Sequence, residues 1–312
     1  MTTRHLSVMV CIAGVALIGG CSGTTPVPPP PALPLVFDAV IGASGNGLGQ
    51  FEGPTDVAAG PGDSLFVVDS GNHRVQKLDA TGTPLLSFGS FGSDPRQFKT
   101  PTGIAVSGSS VYVSDVGNAR IQVFTTDGGF VREFGSRWPE GGSLREPRAI
   151  VVTTNAVAVA DRQQHRVVVY DLDGKPVRTI GQFGIGDGEF ESLAGLAVSG
   201  SKLYAADRDR EDVQVLDFTR GQYLQTLGRG GTDPGEFGRP TGLVMTSAGL
   251  YVLEAASGRV QLLSLAGGVQ GALDTAATPA GPPADPLGMA AWRGGLVVAD
   301  TGGDRLLNFK PT

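Results

Sequence analysis

The sequence predicts an all-β fold: a six-bladed β-propeller of four-stranded antiparallel blades, with the last blade completed by the N-terminal strand. Three observations carry the prediction. Glycine supplies 48 of 312 residues, with 21 prolines beside 40% hydrophobic residues. This suits many short strands joined by tight turns, since collagen spacing is absent and the chain is too apolar for disorder. One pattern is then written six times in phase, and a period in the forties with four strands per unit means a propeller blade. Finally, the sixth copy runs out after its third strand while a spare strand stands before the first.

Taken in order, residues 1–20 follow the plan of an export signal, with Arg4 and His5 ahead of the apolar run Leu6 to Ile18. That run is too short to span a bilayer, which needs about 20 residues in a helix. Cys11 lies within it and reads as a hydrophobic filler. The segment Leu17-Ile18-Gly19-Gly20-Cys21 resembles the lipobox of bacterial lipoproteins, although leucine is commoner where Ile18 stands. The resemblance implies that Cys21 is lipidated and becomes the N-terminus, with three acyl chains giving a stable anchor. Ser22 rather than aspartate then favours the outer membrane of a Gram-negative envelope. Residues 21–34, rich in proline, read as a partly extended tether.

Residues 35–312 read as one domain. The copies run over about 49–89, 96–135, 142–181, 188–228, 235–274 and 283–312, the last joined by 35–42. An acid closes the second strand of each: Asp69, Asp115, Asp161, Asp207, Glu254 and Asp300, spaced by 46 or 47 residues. Five positions later stand Arg74, Arg120, Arg166, Arg259 and Arg305, with Asp212 the exception. In the second copy the strands are expected at 103–106, 111–114, 120–124 and 130–134. The third strand of the sixth copy is expected at 306–309, with Leu35–Ile41 beside it to close the ring and remove its open edge.

The segments DSGNHRV at 69–75 and DVGNARI at 115–121, preceded by GQF or RQF and a Pro-Thr pair, resemble the NHL repeat. Neither Trp138 nor Trp292 supplies the Trp-Asp pair of WD40 repeats. The NHL resemblance implies the propeller fold. It also raises the metal-dependent amidating lyases, as six-bladed lactonases do among related propellers, whose central ions are held by His, Asn, Asp or Glu. Here the inner strands offer Asp56 alone, while His73 and His165 stand two blades apart. No metal, cofactor or catalytic set is therefore expected.

In a four-stranded blade, the loops after strands two and four emerge on one face, here called the top. The repeated acids and arginines are expected to pair within each blade and to cap loop amides. Phe51, Phe98, Phe190 and Phe237, with Leu144 in the third unit, are expected to plug the gaps between blades. Departures from the repeat point elsewhere: Arg162-Gln163-Gln164-His165 and Arg208-Asp209-Arg210-Glu211 replace the usual glycine-bearing loop. Trp138, Arg162, Gln164, His165, Arg208, Arg210 and Arg239 are the candidate binding residues, with Arg137, Arg145, Arg148, Phe91 and Phe183 nearby. The expected function is a non-catalytic, lipid-anchored envelope protein binding a protein or polysaccharide through this face. A propeller hydrolase or lyase is the alternative. A formal charge of −6 and the export signal argue against nucleic acid.

Overall fold

The computed structural model describes residues 28–136 and 142–312. Six four-stranded antiparallel sheets form the blades of a closed ring. The inner strands are Pro54–Ala59, Pro101–Ser107, Pro147–Val152, Leu193–Ser199, Pro240–Met245 and Pro286–Trp292. In blade two the remaining strands are Ser110–Asp115, Arg120–Thr125 and Phe130–Phe134. The expected ranges fall inside these and miss only the polar ends, where alternation fades. Among the described residues the only helical segments are single 3₁₀ turns, and no helix is long and apolar enough to cross a membrane.

The ring closes through its two ends. Leu35–Ile41 runs antiparallel to Arg305–Pro311, pairing Leu35 with Pro311 and Ile41 with Leu306. The last strand is longer than the expected 306–309 because it matches its partner along its whole length. Side chains strengthen the seam, since Asn308 Nδ2 donates to Asp38 and Lys310 pairs with the same carboxylate. The proline-rich segment is not wholly a tether. Leu33 N–H donates to the Ala272 carbonyl and Ala272 N–H to that of Pro31, so residues 31–33 lie along the outer strand of blade five. Leu33 is buried there over Gly271, where a Cβ would clash with it.

There is no single core. Six apolar clusters each join two neighbouring blades, and the loop plugs sit in them: Phe51 between blades six and one, Phe98 between one and two. Leu144, Phe190 and Phe237 fill the next three gaps in turn, and the phenylalanines are all fully buried. Close approach at the axis demands glycine. A Cβ on Gly103 would stand 2.1 Å from the Arg148 carbonyl oxygen, and one on Gly195 2.3 Å from that of Thr241. The inner strands thus meet almost backbone to backbone around a narrow channel.

Candidate functional site

The repeated acids are wholly built into the fold. Asp69 accepts from the Glu52 N–H at 2.8 Å, from Asn72, from Arg74 Nε at 2.7 Å and from Gln76. Asp115, Glu254 and Asp300 pair likewise with Arg120, Arg259 and Arg305 at 2.7–2.9 Å. Each of these arginines also donates to carbonyls of the preceding blade-joining loop. A recurrent buried glutamine, missed from the sequence, completes the frame. Gln76, Gln122, Gln214 and Gln261 stand seven residues after the acid and tie the same loops down. Its signal was present, because it recurs in phase.

Blades three and four depart from this frame. Arg166 makes no ion pair with Asp161. Both Asp161 oxygens are instead occupied by the N–H groups of Arg145 and Glu146, and Arg166 donates to the Ser143 carbonyl and the Gln164 amide oxygen. Asp207 similarly accepts from the Glu191 and Ser192 amides. In blade four the missing arginine is replaced from within the loop. Arg210 pairs with Asp212 at 2.9 Å and donates to the Gly186 and Glu189 carbonyls, so its work is structural rather than ligand-facing. Burial raises the Asp212 carboxyl above its usual pKa despite the adjacent Arg210.

The altered contacts re-aim the loops. In blades one and two, the glycine two residues after the acid donates to the preceding loop, Gly71 to Glu52 and Gly117 to Lys99. In blades three and four, the residue just after the acid does so instead, Arg162 to Glu146 and Arg208 to Ser192, and blade five makes both contacts, Ala255 to Arg239 and Ala256 to Gly238. In blades three and four this residue is an arginine, and both side chains reach the top mouth of the central channel. They line a cavity of about 150 Å³ together with Arg148 from the inner strand of blade three. Arg239 stands beside Arg208. Glu146 serves two of these cations, at 2.6 Å from Arg148 and 3.5 Å from Arg162, and Asp285 lies 3.5 Å from Arg208. Burial, then the neighbouring Arg239, pulls the Arg208 pKa below its usual value. Its Nε is shielded from solvent without a hydrogen-bond partner. Arg239 is exposed, and its side chain makes no hydrogen bond or ion pair with a described residue.

Blade one faces blade four across a six-membered ring, and there the wall carries the opposite sign. Asp56 accepts from the Val57 and Ile104 N–H groups at 2.9 and 3.0 Å. Burial pushes its carboxyl up to about 7, against the two backbone hydrogen bonds. Thr55, Thr102 and Thr241 line the same cavity and donate to carbonyls of the next inner strand.

Of the candidate binding residues, Arg162, Arg208 and Arg239 come together. Gln164 and Arg210 belong to the loop frame. His165 holds the Glu191 carbonyl at 2.8 Å through Nδ1 and packs on exposed Phe183, as His73 packs on exposed Phe91. Neither histidine lines the channel. Trp138 and Arg137, like Cys21 and the export signal, lie outside the described residues. No cluster of three or more His, Cys, Asp or Glu suited to a metal occurs among the described residues. Asp285 and Ser192 were not legible as site residues, since only the ring brings them to the arginines.

The profile of the NHL repeat matches residues 51–78 and 98–124, the first two copies. No curated protein matches the chain significantly. Among solved structures the chain is similar to streptogramin B lyase, at 14% identity and a TM-score of 0.62, covering 89% of this chain and 98% of that one. A catalytically inactive histidine-to-alanine variant of virginiamycin B lyase from Staphylococcus aureus, with quinupristin, is similar at 13% identity and TM-score 0.59, covering 85% and 82%. A chain of a nidogen/laminin complex matches at 17% identity and TM-score 0.55, covering 75% and 79%. These likenesses show the fold, a closed propeller, of which the first two blades carry the matched NHL repeats.

Proposed function

We propose that this NHL-repeat propeller is a non-catalytic binding protein of the cell envelope, held to the membrane by a lipid on Cys21. It takes an anionic group of an envelope partner on its top face. The observation that carries this reading is the pair of arginines just after the acids of blades three and four, Arg162 and Arg208, which line the channel mouth where the other copies have Ser70, Val116, Ala255 and Thr301. A guanidinium is suited to this task because its planar donors bind oxyanions in pairs and stay charged when partly buried.

The lyase reading draws on the likeness to streptogramin and virginiamycin B lyases, but that likeness is at fold level. The inactive variant of virginiamycin B lyase has lost a histidine, whereas both propeller histidines here pack on phenylalanines outside the channel lining. The test is recovery of the partner from native envelopes by the tagged full-length protein. The double variant Arg162→Ala/Arg208→Ala is expected to lose at least 10-fold of the captured material, and Arg145→Ala, in the neighbouring loop, to keep it. Equal capture by all three proteins refutes the reading.

A further inference from the structure

The same mouth carries a narrower inference, which rests on the binding role just proposed: its ligand class. Four guanidinium groups, of Arg148, Arg162, Arg208 and Arg239, stand against three carboxylates, Glu146, Asp285 and the adjacent Asp209. The balance around the arginines is short of one negative charge, part of which Asp56 on the facing wall supplies when ionised. A monoanion therefore suits the mouth better than a phosphate dianion. Donors are also left over. Arg208 Nε has no partner, and Arg239 has none at all among the described residues. Arg162 spends Nε on Ser192 and only a long 3.5 Å contact on Glu146.

The opposite wall says what else the ligand bears. Val57, Ile104 and Ile150 are buried in the inter-blade clusters, although they and the half-buried Leu287 also contribute to the cavity lining. The polar part of the lining across from the arginines is Asp56, with threonine hydroxyls and glycine backbone. Asp56 has lone pairs beyond the two amides it accepts from, and those suit hydroxyl donors. A wall of this kind matches a polyol better than the last side chain of a peptide. In volume, about 150 Å³ admits roughly five waters, or a group the size of one sugar ring.

We infer that the channel mouth binds a uronic-acid unit of an acidic polysaccharide, its carboxylate among Arg162, Arg208 and Arg239 and its hydroxyls toward Asp56. The sugar ring enters from the top along the channel axis, with the rest of the polymer lying across blades three to five.

Isothermal titration calorimetry of the full chain tests this with three probes: digalacturonate, neutral digalactose, and a short peptide with a free C-terminus. Digalacturonate is expected to bind at least 10-fold more tightly than digalactose. Arg162→Ala/Arg208→Ala is expected to abolish that preference, and Arg239→Ala, whose side chain supports nothing in the fold, to weaken digalacturonate at least 3-fold. Unchanged melting temperatures show that these variants are folded. Equal binding of the two disaccharides, binding of the peptide alone, or binding indifferent to the arginines overturns the inference. The two readings fail separately. Arginine-dependent capture from envelopes without digalacturonate binding removes the uronate and keeps the binding role. Arginine-dependent digalacturonate binding without arginine-dependent capture does the reverse.

Discussion

Asp56 shows how one residue can leave the repeat at a cost the fold absorbs. The other five inner strands have glycine or alanine in its place, and a Cβ on the adjacent Gly288 would stand 2.2 Å from Asp56 Oδ1. No charged side chain offsets its burial. With the carboxyl raised to about 7 in the folded protein and near 3.9 in the unfolded chain, the folded state holds the proton more tightly between those values. Stability therefore falls as pH rises from about 4 to 7 and levels off above, by a few kcal/mol from this group. Asp56→Asn is expected to flatten that slope in urea titrations run between pH 5 and 8. Parallel slopes in the two proteins would show that Asp56 ionises freely. The sequence marked Asp56 as the one acid on an inner strand. It could not show that blade four faces it with arginines, because that opposition exists only once the ring is closed.

At the scale of elements, the strands and their order were legible because each blade repeats the alternation of its neighbours. Leu35–Ile41 was legible by subtraction, as the strand that the sixth copy lacked. It buries Leu35 and Ile41 and covers the edge of Arg305–Pro311. Its loss removes two core side chains at roughly 2–5 kcal/mol each and leaves the ring open. A chain truncated to begin at residue 43 is expected to melt at least about 10 °C lower than the full chain, given ~2–4 °C per kcal/mol at this size. One beginning at residue 35 gives up only the contacts of residues 31–34 and is expected to lose far less. Similar melts for the full chain and the truncation at 43 would contradict closure by this strand. The loop shift in blades three and four was visible only as lost glycines. Its consequence depends on which backbone amide meets the preceding loop, and composition does not encode that.

For the whole molecule, sixfold regularity builds the scaffold and its breakage builds the candidate site. Blades one, two, five and six keep the acid–arginine pairs, while blades three and four spend the same loop positions on the channel mouth. The sequence therefore yielded the architecture almost completely. Of the candidate binding residues it named, the ring brings together Arg162, Arg208 and Arg239, the loops hold Gln164, His165 and Arg210 for themselves, and Trp138 lies outside the described residues. The most direct measurement places a photoreactive residue at Arg239 on the top face, and in a second protein at Asp173 in a bottom hairpin, each in the native envelope. Crosslinks to a saccharide-bearing partner from position 239, and none from position 173, are the predicted result. Crosslinking from position 173 alone would contradict top-face binding.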